Sequence, residues 1–107
     1  MTPEQKSRRE MLEAFVAANP SDAFARYGLA IECAKEGGHE AAIAHFRQLL
    51  AAHPDYVTGY FQLGQLLARL SRTDEAHTVI TEGIAAAQKA GNSHARDEME
   101  AFLRELP

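Results

Sequence analysis

Residues 21–54 read SDAFARYGLAIECAKEGGHEAAIAHFRQLLAAHP, and the chain repeats their pattern 34 residues later. Leu29, Ala34, Ala42, Ala51 and Ala52 return as Leu63, Ala68, Ala76, Ala85 and Ala86. Where identity is lost, size and charge are kept: Ala30 becomes Gly64, Cys33 becomes Leu67, Phe46 becomes Ile80 and Lys35 becomes Arg69. A fixed period of this length marks a stacked array, in which each unit buries its apolar face only against its neighbours.

Working outward, Asn19-Pro20 closes the segment before the block and His53-Pro54 closes the block itself. Ahead of it, Thr2-Pro3-Glu4-Gln5 predicts a helix start, with a cap, a proline at the first helical position and an amide three residues after the cap. Met11, Leu12, Phe15 and Val16 form that helix's apolar stripe. It reads as the second half of a repeat whose first half is missing, and is expected to cover the next unit.

Within the block, Ser21 or Asp22 caps a helix that Gly37-Gly38 ends, and a further helix spans about His39 to Ala52 with Ala42, Phe46, Leu49 and Leu50 inward. In the second copy Asp55 is the expected cap of a helix carrying Tyr60, Leu63, Gly64 and Leu67. Ser71-Arg72 replaces the glycine turn, and Thr73 caps a helix with Asp74 and Glu75 in its first turn and Ala76, Ile80 and Ile84 inward. With no proline at Gln88 this helix is predicted to reach Lys89 or Ala90, before Gly91-Asn92. Ser93 then caps a last helix with Met99, Phe102, Leu103 and Leu106 on one face and an Arg96, Glu100, Arg104 charge ladder on another. Six helices and no strand are expected, in one domain divided into a capping helix (1–19), two repeats (20–54 and 55–90) and a second capping helix (91–107).

Composition narrows the partners. Eleven basic and fifteen acidic residues give a formal charge of -4 with no basic stripe, which argues against nucleic acid and anionic membrane as partners. A single cysteine, Cys33, cannot form an internal disulfide and fits a reducing compartment. Glu10 and Glu13 interrupt the apolar positions after Lys6, Arg8 and Arg9, so no signal-peptide core is read and no run reaches transmembrane length. The expected location is cytoplasmic.

The pattern Tyr60-x2-Leu63-Gly64-x2-Leu67 followed by Ala76-x3-Ile80 resembles the tetratricopeptide repeat, as does Leu29-Ala30-x2-Cys33 followed by Ala42-x3-Phe46 and Pro54. The resemblance covers Ser21 to about Gln88. It implies a right-handed α-α superhelix in which Ala30, Gly64, Ala42 and Ala76 are small where two helices approach closely, with Leu29, Phe46, Leu63, Leu67 and Ile80 filling the space between. Arg26 departs from it, standing where a large aromatic is expected with Phe24 and Tyr27 beside it to compensate. Gly83 and Gln88 replace a small apolar residue and a proline.

The resemblance also implies a non-enzymatic interaction scaffold, with the first helix of each pair lining a concave groove for a peptide or helix of a partner protein. Carried over by the period, the groove positions are Phe24, Tyr27, Ile31, Ala34 and Lys35, then Thr58, Phe61, Gln65, Ala68 and Arg69. The expected binding residues are Phe24, Tyr27, Ile31, Lys35, Phe61, Gln65 and Arg69, an apolar strip with a basic edge. No asparagine lies in it, which argues against the carboxylate clamp by which some members hold chaperone tails. A homo-oligomer built through the groove or an end face is the alternative.

No catalytic constellation or cofactor site is read. His39, His45, His53, His77 and His94 are not three or four apart, so no pair shares a helix face as a helical metal site requires. Cys33 occupies the inward position equivalent to Leu67 and reads as a buried structural thiol. Asp74-Glu75 and Asp97-Glu98 lie in first turns of helices, where the helix dipole accounts for them.

Overall fold

The computed structural model describes residues 7–107, which form six α-helices: α1 (Arg8–Ala18), α2 (Ala23–Lys35), α3 (His39–Ala52), α4 (Val57–Arg69), α5 (Thr73–Ala90) and α6 (Ser93–Glu105). No strand occurs among the described residues. The helices gather into two compact units, α1–α3 and α4–α6, divided between Ala52 and His53.

In the first unit α2 and α3 form an antiparallel pair around a tight turn. Asp22 caps α2, its side chain accepting from the Ala25 N–H at 2.9 Å. Gly37 takes φ +81°, a left-handed conformation that glycine adopts without steric cost, and closes the helix. Ala30, Ala42 and Cys33 are fully buried, and Leu29, Phe46 and Leu49 are nearly so. Small residues thus bring the helices together and large ones fill the seam.

Arg26 is not replaced by its aromatic neighbours. It stays half-buried, and its guanidinium Nη1 donates to His45 Nδ1 at 3.2 Å and to Gln48 Oε1. Tyr27 lies edge-on to Phe46 with ring centroids 6.3 Å apart. Phe24 is 77% exposed and compensates for nothing in the core.

The second unit repeats the plan with closer contacts. Gly64 and Gly83 are buried, and a Cβ at Gly64 would stand 2.6 Å from Ile80 Cγ1. At Gly83 a Cβ would meet Tyr60 Cβ at 2.6 Å and Met99 Sδ at 2.7 Å. Gly83 is therefore the point where α4 and α6 both press on α5. Ser71, at the place of Gly37, holds φ +61° and makes the same turn without glycine.

Several expected helix starts shift. Ser7 caps α1 in a reciprocal box with Glu10, while Thr2 to Gln5 lie outside the described residues. Tyr56 rather than Asp55 precedes α4, and Arg72 rather than Thr73 precedes α5, neither with a side-chain cap. Arg72 instead pairs with Glu75 at 2.8 Å, and Asn92 rather than Ser93 caps α6. On α6, Arg96 pairs with Asp97 at 3.0 Å in place of the expected ladder. At α4, α5 and α6 the turn geometry selects one of two adjacent residues.

The larger departure is in α1. Of its stripe only Val16 is buried, Leu12 is half-buried, and Met11 and Phe15 are 55% and 49% exposed. Leu50 and Ile84, expected inward, are also only half-buried.

Gly28 has only an ordinary contact, 3.8 Å to Leu12, so Gly28→Ala should stabilise the protein by about 0.5–1 kcal/mol through helix propensity. Gly83→Ala should destabilise it by about 1–3 kcal/mol, because overpacking against the Tyr60 backbone-proximal carbon outweighs that gain. Ala76→Leu, at a fully buried position, should cost a similar amount, all three being read from urea midpoints. Burial, and then the Arg26 charge, hold the His45 pKa below its ordinary value, against a weaker opposite pull from Glu13. Below about pH 6.5 the unfolded chain takes up a proton that the fold resists, so stability falls as pH drops toward the lowered folded value. His45→Gln should flatten that dependence in urea titrations at about pH 7.5 and about pH 5.5.

Candidate partner-binding cleft

Phe24, Tyr27, Ile31 and Lys35 recur every three or four residues on α2, so the helix presents them on one face. All four line an open cleft of about 510 Å³ in the first unit. The opposite wall comes from α1, whose Arg8, Leu12 and Phe15 complete it. Gly28 lies on the floor between the walls, with room for a methyl group beside Leu12. Arg8 Nε pairs with Glu32 at 3.3 Å and ties the rim of α1 to that of α2. Tyr27 is steadied from beneath by Phe46, whereas Phe24 projects outward.

The sequence placed the α2 residues of this cleft and missed those of α1. Met11, Leu12, Phe15 and Val16 have the spacing of a core stripe, and spacing alone does not tell a face packed on a neighbouring helix from one left exposed. The signal lay in the first helix reading as the second half of a repeat, since no helix among the described residues supplies the first half.

In the second unit Phe61, Gln65 and Arg69 share one face of α4, but Phe61 is half-buried and meets Phe102 of α6 edge-on at 5.6 Å. Gln65 is half-buried and Arg69 exposed. A separate opening of about 470 Å³ lies between Pro54, Tyr60, Glu82 and Lys89, and none of these three positions lines it.

Several other groups singled out by the sequence have structural surroundings. Burial pushes the Cys33 thiol pKa up, with Arg9 opposing it, so the group stays a thiol in the core. His77 Nε2 lies 3.2 Å from the Pro107 carbonyl, and His94 pairs with Glu98. Among the described residues no three potential metal ligands gather, and no helix is long and apolar enough to cross a membrane.

Comparison with known proteins agrees with this architecture. Residues 34–96, more than half of the chain, match the tetratricopeptide repeat family. A TPR repeat-containing protein of Pseudomonas aeruginosa is 30% identical over 97 residues, covering 91% of this chain and 92% of its own. The solution structure of a tetratricopeptide repeat domain protein from Salinibacter ruber is similar at a TM-score of 0.77, with 37% identity over 80% of this chain and 87% of that one. A solution structure from Bordetella parapertussis reaches 0.78 with 29% identity, covering 94% of this chain and 87% of that one. The repeat period, the small-against-large helix seam and these likenesses agree: the chain belongs to the tetratricopeptide repeat family, an all-α helical-repeat fold whose general role is protein–protein interaction.

Proposed function

We propose that this protein is a non-enzymatic cytoplasmic adaptor whose first-unit cleft receives an apolar segment of a partner protein. The observation that carries this reading is Phe24, 77% exposed beside Tyr27 and Ile31 in an open cleft. A contiguous apolar surface of this kind marks an interaction site, since the hydrophobic effect favours covering it. Phe24, Tyr27 and Ile31 supply the apolar contact, and Lys35 at the rim favours an acidic flank on the ligand. Phe61, Gln65 and Arg69 are the corresponding positions of the second repeat. Phe61 contributes less there, because its ring already packs on Phe102.

Self-association is the second reading, favoured by the exposure of Met11 and Phe15 on α1. Light scattering at two concentrations separates the two, since a monomer at both removes self-association.

Phe24→Ser leaves the core untouched and is the direct test. Capture of a partner from native lysate should weaken about tenfold or more, as loss of a central aromatic anchor does. Binding to the isolated partner should also weaken with added salt, and Lys35→Gln should flatten that dependence. Capture that is indifferent to Phe24→Ser would remove the cleft from the interaction.

A further inference from the structure

Helices α3 and α5 carry the second-helix pattern of a repeat, and α1 matches it at Leu12, Ala17, Ala18 and Pro20, with Arg8 standing where α3 and α5 have Ala42 and Ala76; Pro20 and Pro54 fix the register of α1 on α3 at the 34-residue period. In each repeat one face of this helix turns to the first helix. On α3 that face is Ala42, His45, Phe46 and Leu49, and α2 covers it: Phe46 and Leu49 are 1% exposed, Tyr27 meets Phe46 and Arg26 bonds to His45. On α5 it is Ala76, Val79, Ile80 and Gly83, all buried, with Gly64 of α4 against Ile80 and Tyr60 of α4 against Gly83. The same register puts Arg8, Met11, Leu12 and Phe15 on the corresponding face of α1. Among the described residues no helix covers that face: Met11 and Phe15 are exposed and Leu12 half-buried, and Arg8, Leu12 and Phe15 wall the cleft beside α2.

We infer that this face is the seat of an amphipathic helix supplied by a partner protein, lying on α1 as α2 lies on α3 and as α4 lies on α5. The inference rests on the cleft being a partner-binding surface and names what enters it. The two occupied seats show what covers such a face, and in both it is a helix of 13 residues.

The seat also sets the pattern of its occupant. Glycine at position 83 receives the Tyr60 ring, whereas leucine at the equivalent position 49 is matched by Arg26, whose side chain runs out to His45 and Gln48. Phe15 is bulkier than either, so the occupant carries a small residue opposite it. One turn further on, where Gly64 faces Ile80 and Ala30 holds the matching place on α2, a small residue is needed again, opposite Leu12. Arg8, its side chain 71% exposed though paired with Glu32, and exposed Lys35 give the rim a positive edge. The occupant is therefore a helix with two small residues four apart on its inner face and acidic residues on its flank.

The probe is a synthetic peptide of the α4 sequence, residues 57–69, stapled to hold it helical, in a native form and a Tyr60→Ala form. Each is titrated into the isotopically labelled full chain and followed by NMR. The Tyr60→Ala peptide should shift the signals of Leu12, Phe15 and Ile31 and bind about tenfold or more tightly than the native peptide. In a Phe15→Ala chain, checked for helix content by circular dichroism, that preference should shrink or reverse. A third peptide with interior prolines cannot form the helix. If it binds the cleft as well as the Tyr60→Ala peptide does, the helix seat is overturned while the cleft remains a binding surface. Equal affinity of the native and Tyr60→Ala forms, shifts only outside the cleft, or a cleft already filled by a second copy in a dimer that Met11→Ser dissolves would each overturn it as well.

Discussion

The close approach of a small residue on one helix to a large one on its partner is the constraint from which the rest of this structure follows. Gly64 sits against Ile80 with no room for a methyl group between them, and Gly83 does the same under Tyr60 and Met99. Such contacts fix the distance and register of a helix pair, and with them which residues face inward. Interiors are packed at crystal-like density, so a pair once brought this close has little freedom to slide. The cleft face of α2 is then a by-product of the seam: once Leu29 and Ala30 are committed inward, Phe24, Ile31 and Lys35 take the other side, and Tyr27 stands at its edge against Phe46.

That chain of consequence explains what was legible in the sequence. The 34-residue period, the small positions at Ala30, Ala42, Gly64 and Ala76, and the turns at Gly37 and Gly91 gave the six helices and their pairing. The extent of α3, and the run of α5 past the missing proline to Ala90, followed from them. Caps were less legible, because Asp55 and Tyr56, Arg72 and Thr73, or Asn92 and Ser93 stand side by side. The choice between such neighbours depends on backbone angles that the preceding turn imposes. Ser71 in a left-handed conformation and Gly91 after α5 decide where the next helix can begin.

The site was legible by halves. Position within the repeat placed all four α2 residues on one surface, because periodicity governs which side of a helix a residue takes. It could not give the environment of that surface. Phe61 occupies the same repeat position as Tyr27, yet its ring is met by Phe102, and Leu12 and Phe15 of α1, which looked like core, form a wall of the cleft instead. Both outcomes depend on which helices neighbour α1 and α4, a matter the repeat period does not specify. Arg26 shows the same limit: its departure from the aromatic expected there is resolved by His45 and Gln48 on the facing helix, not by Phe24 nearby.

The central claim is that the first-unit cleft is where this protein meets another. A photo-crosslinking phenylalanine derivative at position 24, which keeps the aromatic ring there, tests it most directly in living cells, with the same residue at Thr78, exposed on α5 and outside the cleft, as control. The account predicts one dominant heterologous adduct from position 24 and none from position 78. Indiscriminate labelling at both positions, or no adduct from position 24, would contradict it.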